Sequence, residues 1–235
     1  MNVDEIYTLD DHEFRENDLY AASKYAITLR WLGHSDQTRV LANVGCGGGM
    51  FNRLASDAGF HVRAFEPDTQ AFAIASANPP PNCVVEQKGL FDIDQGLQAD
   101  VAVMHDVLEH IDGEGAAVER LAQLIRPGGL VVVSVPALEA LFGYHDVQLG
   151  HFRRYSRTTL RRALRPHFDV QSIRYFGASM VPVAWWFSRK RRIPYPTNGV
   201  GESGWQDKLI KAVFSVEERI AAPVGTSVIA LARRR

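Results

Sequence analysis

Short apolar runs alternate with amphipathic stretches over the first two thirds of the chain. Runs typical of strands lie at 40–44, 61–65, 83–85, 100–104 and 130–135. Between them, apolar residues recur at helical spacing in 22–32, 50–58, 71–77 and 118–125. The run 130–135 is rich in β-branched residues, which is typical of a strand buried on both faces. Because strands that alternate with helices form βαβ crossovers, the pattern predicts an α/β fold with a doubly wound, mostly parallel sheet.

The last third of the chain is less regular. A helix is predicted after Ser156, followed by a strand at 168–176 and a final strand at 227–232. A further amphipathic helix precedes that final strand, with an apolar face made of Trp205, Leu209, Val213, Val216 and Ile220. The stretch 180–205 is rich in Pro, Gly and aromatic residues, so we expect an irregular insertion there.

The composition is that of a globular protein, with 46% hydrophobic and 23% charged residues and a net charge of -1. Two cysteines, Cys46 and Cys83, are too few for a disulfide framework or a zinc finger, which favours a reducing compartment. No apolar run approaches the ~18 residues that cross a bilayer, and the acidic stretch 1–18 does not resemble a signal peptide. We therefore expect a cytoplasmic protein.

Charge is balanced overall but unevenly distributed. Acidic residues dominate 1–18, and basic residues dominate 151–192. Two interpretations stay open: two solvated surfaces, or a basic surface for an anionic substrate, a membrane or a nucleic acid. The run V-P-V-A-W-W-F-S-R-K-R-R at 181–192 joins aromatic to basic residues, as segments for peripheral membrane contact or a lipid-like acceptor do. We favour the alternative that Trp185 and Trp186 are core residues.

A glycine-rich turn, G-C-G-G-G at 45–49, joins the first predicted strand to the next helix. Glycines allow positive φ and close approach of a ligand, while the helix N-terminus offers free N–H groups. Glu66 ends the second strand 21 residues after Gly45, where a carboxylate can accept both hydroxyls of a ribose. Met50 occupies the third glycine position of a dinucleotide fingerprint, and no P-loop motif is present. The turn therefore favours an adenosine without a pyrophosphate.

Four motifs in order resemble those of class I S-adenosylmethionine (SAM)-dependent methyltransferases. They are V-L-A-N-V-G-C-G-G-G at 40–49, F-E-P-D at 65–68, H-D-V-L-E-H-I at 105–111 and L-I-R-P-G-G at 124–129. Later stretches, including G-H-F-R-R-Y at 150–155 and P-V-G-T-S at 223–227, resemble a bacterial branch similar to methyltransferase types 11 and 12. The resemblance implies a Rossmann-like, seven-stranded sheet with helices on both faces, in which 227–232 is an antiparallel strand near the edge.

The same resemblance implies the domain organisation and the cofactor, SAM. One domain, 1–235, would comprise a helical cap (1–38), a SAM-binding core (39–136) and a substrate-side region (137–235) with an insertion around 180–205. The implied cofactor contacts are Gly45, Cys46, Gly47 and Gly49 for the methionine part, Glu66 for the ribose, Pro67, Leu90 and Phe91 for the adenine, and His105 and Asp106 near the methyl group.

Two positions depart from the family pattern, which usually has an acid at Asn43 and often one at Leu90. A charge-assisted hydrogen bond contributes ~1.5–3 kcal/mol against ~0.5–1.5 kcal/mol for a neutral one. We therefore expect SAM affinity to be weakened about tenfold. The alternative is a catalytically inactive, SAM-binding module.

Methyl transfer to a hydroxyl or an amine requires removal of a proton, a task that histidine suits near neutral pH. The candidates are His105, His145 and His151, of which His151 or His145 is the expected base, with Asp146 orienting the imidazole. The alternative is that these side chains only fix their loop by hydrogen bonds.

Further candidates flank that base. Arg153, Arg154 and Tyr155 are expected to hold an anionic group of the substrate, unless the arginines are merely surface residues. The motif D-x-x-E-H (Asp106, Glu109, His110) is similar to the E-x-x-E-H of some Mg-dependent methyltransferases. Because metal-free relatives share V-L-E-H, we expect no metal.

Together, these features predict SAM-dependent O- or N-methylation of a small-molecule or a lipid- or saccharide-linked acceptor. A nucleic-acid substrate is not expected, since the N/D-P-P-Y/F type of motif is missing.

Overall fold

The computed structural model describes residues 18–186 and 205–235, with the side chains of the second range described from 208 onward. The helices are α1 Leu19–Leu32, α2 Met50–Asp57, α3 Thr69–Ala77, α4 Glu114–Leu124, α5 Tyr144–Gln148, α6 Arg157–Leu164, α7 Val181–Trp185 and α8 Trp205–Glu217. The strands are β1 Val40–Val44, β2 His61–Phe65, β3 Cys83–Glu86, β4 Ala99–His105, β5 Ile125–Pro136, β6 Phe168–Phe176 and β7 Ser227–Arg234. None of the helices in these ranges is both long and apolar enough to cross a bilayer.

The strands form one seven-stranded sheet in the order β3-β2-β1-β4-β5-β7-β6. The first five strands in this order are parallel, whereas β7 runs antiparallel to both β5 and β6. The predicted fold class is therefore confirmed, and so is the antiparallel strand at the end of the chain. The strand order reverses between β1 and β4, which opens a crevice at the carboxyl ends of these strands.

Hydrophobic clusters cover both faces of the sheet. Along β5, Val131 and Val133 belong to one cluster and Val132 to the other, because successive side chains of a strand point to opposite faces. All three are fully buried, as the β-branched run predicts.

The sequence P-G-G at 127–129 lies inside β5, although the pattern predicts that it separates a helix from a strand starting at 130. Helix α4 ends at Leu124, and β5 starts at Ile125. The pairing with β4 passes from Ala99–Ile125 to Val101–Leu130, so the intervening residues of β5 bulge out of the ladder. Proline fits this interruption because it has no N–H to donate.

Helix α8 buries a different face from the one predicted. Leu209, Val213 and Val216 are exposed, whereas Phe214 is buried. The Phe214 ring packs against Tyr20 and Phe176 with centroid distances of 5.7 Å to each. These aromatic contacts, rather than the number of apolar residues on a face, set the rotation of the helix.

The predicted helical cap contains α1, for which the apolar spacing over 22–32 predicts a helix. The N-cap of α1 is Asp18 and its C-cap is Gly33. Residues 1–17 of the cap and 187–204 of the predicted insertion lie outside the described residues. Within the insertion, Trp185 and Trp186 are each 47% exposed, so the preference for a core position is wrong for both.

Candidate active site

The glycine turn at 45–49 lies at the carboxyl end of β1 and has a crowded side and an open side. Gly45, Gly47 and Gly49 have φ values of +70°, +54° and +91°, which only glycine adopts readily. A Cβ atom on Gly45 would collide with the side chain of Val107. A Cβ atom on Gly47 would meet no heavy atom within 4 Å. The turn therefore offers a ligand bare backbone at Gly47.

Glu66 lies at the carboxyl end of β2 and is bonded to this turn. Its Oε2 accepts a hydrogen bond from the Gly47 N–H at 2.7 Å, and its Oε1 accepts one from the Asp68 N–H at 3.1 Å. A carboxylate has about four acceptor sites, so these two bonds do not saturate it. The acid expected to hold a ribose thus also fixes the shape of the turn.

Beneath the turn, Asn43 is buried and donates from Nδ2 to Oδ1 of Asn52 at 2.7 Å. The amide that replaces the family's usual acid therefore ties β1 to α2. Sequence reasoning missed Asn52, whose only signal was a polar residue on the inner face of a predicted helix. Cys46 is also buried, and this burial raises the pKa of its thiol to about 12.

The residues expected around an adenine come from two adjacent turns. A Cβ atom on Gly89 would lie 3.9 Å from the Cβ of Pro67 and 3.2 Å from Oδ2 of Asp92. The turn after β2 therefore lies beside the 3₁₀ turn Leu90–Asp92. Leu90 is buried in the core, whereas Phe91 is 56% exposed. Asp92 provides a carboxylate two positions after the residue where the family pattern often has one.

His105 is buried at the end of β4. Its Nδ1 lies 2.8 Å from Ser134 Oγ, its Nε2 lies 3.2 Å from Thr28 Oγ1, and Tyr25 packs against its ring. Burial and the nearby ammonium of Lys24 lower its pKa to about 3, so the imidazole is neutral at physiological pH. Since both ring nitrogens are engaged, this geometry does not support His105 as the base.

Asp106 adopts a φ of +54° and forms an ion pair with Lys24 of α1. Burial alone would lower the pKa of Lys24, but the charge of Asp106 and the hydrogen bond to it raise that pKa above its usual value. Sequence reasoning missed Lys24; its signal was a lysine between apolar positions of the predicted helix. Tyr20, also on α1, lies within hydrogen-bond distance of Thr226 Oγ1 (2.6 Å) and donates to Ser227 Oγ (2.9 Å). Helix α1 is thus fastened across the carboxyl edge of the sheet.

His151 and Asp146 form the pair expected from the sequence, with 2.9 Å between Nδ1 and Oδ1. Asp146 is fully buried and also accepts hydrogen bonds from Arg154 Nε at 2.7 Å and from the Gly143 N–H at 2.9 Å. Burial raises the pKa of Asp146, but the hydrogen bonds from His151 and Arg154 outweigh it and hold that pKa below its usual value. His145, the other expected base, precedes Asp146 on α5.

The three residues expected to hold an anionic group do not converge on one open pocket. Arg154 is buried between Asp146 and the carbonyl oxygen of Ala137, to which Nη1 donates at 3.2 Å. Tyr155 is also buried. Arg153 donates to the carbonyl oxygens of Ile111 and Asp112, at 2.7 Å each. The two arginine side chains fix the loop after β5 to its neighbours, because their guanidinium groups donate hydrogen bonds within the protein.

Glu109 is linked to this loop, because its carbonyl oxygen accepts a hydrogen bond from the Phe152 N–H at 2.9 Å. It is 0% exposed, and neither carboxylate oxygen has a hydrogen-bond partner within the described part of the chain. Burial and the charge of Asp106 raise its pKa well above the usual value. One ligand atom from each of Glu109, His110 and His151 lies within 4.8 Å of the others. The structure thus groups Glu109 and His110 with His151, whereas Asp106 of the D-x-x-E-H motif is paired with Lys24.

Comparisons with known proteins agree with this architecture. The sequence profile of a methyltransferase-domain family matches residues 14–167. An uncharacterized methyltransferase of Mycobacterium leprae (strain Br4923) is 28% identical over 148 residues, which are 62% of this chain and 54% of the relative. The chain therefore spans about half the length of that curated relative.

Two solved structures share the fold. A SAM-dependent methyltransferase from Mesorhizobium loti has a TM-score of 0.62 at 17% identity, covering 88% of this chain and 96% of that one. The 1,6-didemethyltoxoflavin-N1-methyltransferase of Burkholderia thailandensis has a TM-score of 0.58 at 14% identity, covering 93% and 78%. The latter contains 1,6-didemethyltoxoflavin and S-adenosylhomocysteine.

Proposed function

Since the chain belongs to this methyltransferase-domain family, we propose that it is a SAM-dependent methyltransferase that methylates an oxygen or a nitrogen of a small-molecule acceptor. The observation that carries the proposal is the junction of Glu66 with the bare backbone at Gly47. This junction lies where doubly wound sheets bind nucleotides. The small-molecule acceptor of the toxoflavin enzyme, which shares this fold, supports the acceptor class.

The residues present fit SAM as the cofactor. Gly47 leaves space that any Cβ would reduce, Glu66 has acceptor capacity for ribose hydroxyls, and Pro67 and Phe91 are exposed apolar groups beside the expected adenine position. When bound, SAM supplies a methyl group that is already activated by its sulfonium sulfur. The work of the protein is then to orient the acceptor, exclude water and remove a proton.

His151 is the candidate base that removes the proton from the acceptor. The Asp146 carboxylate accepts a hydrogen bond from Nδ1, which leaves the lone pair on Nε2 to take the proton of an O–H or N–H group. The anionic Asp146 also stabilises the imidazolium that forms. Arg154 and the Gly143 N–H hold Asp146 in position, so the pair is preorganised.

Calorimetry with SAM tests the proposal directly. Glu66→Gln should weaken SAM binding at least tenfold, because an amide replaces one acceptor of the ribose hydroxyls by a donor. Glu86→Gln is the matched control, since Glu86 ends the neighbouring strand β3 and pairs with Arg63 and Lys88. Binding of NAD without binding of SAM, or equal SAM affinity in both variants, would refute the assignment.

The rival function is a SAM-binding module without catalysis. It is suggested by Asn43, which stands where the family pattern usually has an acid. The bond from Asn43 to Asn52 anchors the strand from which the glycine turn emerges, so the amide is compatible with SAM binding in both alternatives. A screen of metabolite fractions with methyl-labelled SAM distinguishes the two. Tight SAM binding with no labelled product in any fraction would favour the module.

A further inference from the structure

A carboxylate buried without a partner is among the costliest arrangements in a protein. Glu109 is such a group, with 0% exposure and no hydrogen bond to either side-chain oxygen among the described residues. Buried charges in native proteins are normally paired or bound to a metal ion. Either the carboxyl group is protonated, or a cation is missing from its surroundings.

The groups beside Glu109 are imidazoles. The rings of His110 and His151 meet edge to face, with their centroids 4.6 Å apart. Ligand atoms of the three residues all lie within 4.8 Å of one another. Metal bonds of ~2.0–2.2 Å allow ligand atoms to be up to ~4 Å apart, so small rotations of the side chains would close the site.

The orientation of His151 also suits a ligand. Its Nδ1 is bound to the Asp146 carboxylate at 2.9 Å, so Nε2 carries the lone pair. Histidine ligands of metals usually donate their other ring N–H to such a carboxylate, which fixes the tautomer and raises the basicity of the ligand. Asp146 is itself held by Arg154. The outer shell of a metal site is therefore already built.

We propose that Glu109, His110 and His151 bind a divalent first-row transition cation such as Zn²⁺. Two imidazoles and one carboxylate suit such a cation better than Mg²⁺ or Ca²⁺, which prefer oxygen ligands. His110 is exposed, which gives the ion a route from solvent. Three protein ligands leave a coordination position open, as in catalytic sites.

The cation would deepen the proposed function, and this consequence rests on that function. An acceptor hydroxyl on the open position would have its pKa lowered by the metal, so that the oxygen is a better nucleophile. In the metal-loaded protein the Nε2 lone pair of His151 would hold the ion, and the acceptor proton would leave to solvent. In the metal-free protein Nε2 is open to accept that proton, as proposed above. The acceptor class narrows to molecules with a metal-binding hydroxyl.

Metal binding is measured on the untagged, metal-stripped full chain, with Zn²⁺ titrated against a competing chelator. We expect one Zn²⁺ per chain, with affinity lowered at least 100-fold by Glu109→Gln or His151→Gln. Asp146→Asn should weaken binding by ~10–100-fold, as outer-shell changes do. His61→Gln is the control, because His61 is exposed at the start of β2 and should leave affinity unchanged.

The melting temperature, measured with and without Zn²⁺, is a second readout that also shows whether a variant is folded. Glu109→Gln removes a buried charge, so the metal-free variant should melt at the same temperature as the wild type or higher, while Zn²⁺ should no longer raise its melting temperature. Co²⁺ should give visible d–d absorption in the wild type only.

The proposal is overturned if the stripped wild type binds neither Zn²⁺ nor Co²⁺, or if both variants bind them as tightly as the wild type does. SAM affinity, measured in parallel on the metal-stripped chain, reports on the proposed function separately.

Discussion

The ion pair between Lys24 and Asp106 fastens α1 to the end of β4, and its two halves differ in burial. The side chain of Lys24 is 5% exposed, whereas that of Asp106 is 39% exposed. Removing either partner takes the opposite charge away from the other, so the cost depends on how well water reaches the charge that remains. Asp106→Asn should therefore destabilise the protein more than Lys24→Met does.

The magnitudes follow from this asymmetry. Breaking a buried ion pair costs ~3–5 kcal/mol when the remaining charge stays buried, and we expect the lower half of this range for Asp106→Asn. In Lys24→Met the remaining carboxylate is partly solvated and keeps the Ser134 hydroxyl at 3.5 Å. Solvent screening reduces that cost to ~1–2 kcal/mol, and the methionine preserves the packing of the lysine stem.

The pair also predicts a pH dependence. The folded-state pKa of Lys24 is raised above its unfolded value of ~10.4, so its stabilisation is complete below that pH. It is lost as the pH rises through the folded-state pKa. The stability difference between the wild type and Lys24→Met should therefore be constant from neutral pH to about 9 and shrink in stronger alkali.

The assay is urea unfolding in the absence of SAM, followed by circular dichroism. Lys88→Met is the matched control, because Lys88 forms more exposed ion pairs with Glu86 and Asp94. This substitution should lower the free energy of unfolding by at most ~1 kcal/mol. Equal losses for Lys24→Met and Asp106→Asn, or a larger loss for Lys24→Met, would refute the reasoning from burial.

Two further predictions concern the glycine turn and the acceptor side. Gly45→Ala should lower the free energy of unfolding in urea by ~1–3 kcal/mol, because φ is +70° and Val107 occupies the space of the new methyl group. The control Gly115→Ala, in helix α4, should instead raise that free energy by ~0.5–1 kcal/mol. An unchanged free energy of unfolding in Gly45→Ala would contradict this, because it would show that the turn relaxes to accommodate the methyl group. His151→Gln should lower turnover ~10²–10⁴-fold without changing SAM affinity, and His145→Gln should lower it less, because Asp146 engages His151. Comparable turnover in the two histidine variants would contradict this assignment.

Much of the core could be predicted from the sequence, since its signals are local. A strand such as 168–176 is predicted from its own residues, and the start of a helix from a cap such as Ser156. The residue type permits the positive φ values at Gly45, Gly47 and Gly49, but it does not require them, since Gly48 of the same turn has none. These features depend on neighbours in sequence, so no knowledge of distant contacts is required.

Other features were decided by contacts between residues far apart in the chain. The rotation of α8 depends on the contact between Phe214 and Tyr20, whereas the sequence alone favours a different face because more apolar residues lie there. The sequence likewise grouped Asp106 with Glu109 through their spacing, but Lys24 binds Asp106 from another helix. In its place, folding brings His151 to Glu109 and His110. Spacing along one segment indicates which residues share a turn. The charges and ligands that surround a side chain are set instead by the packing of separate elements, and only the tertiary structure contains that packing.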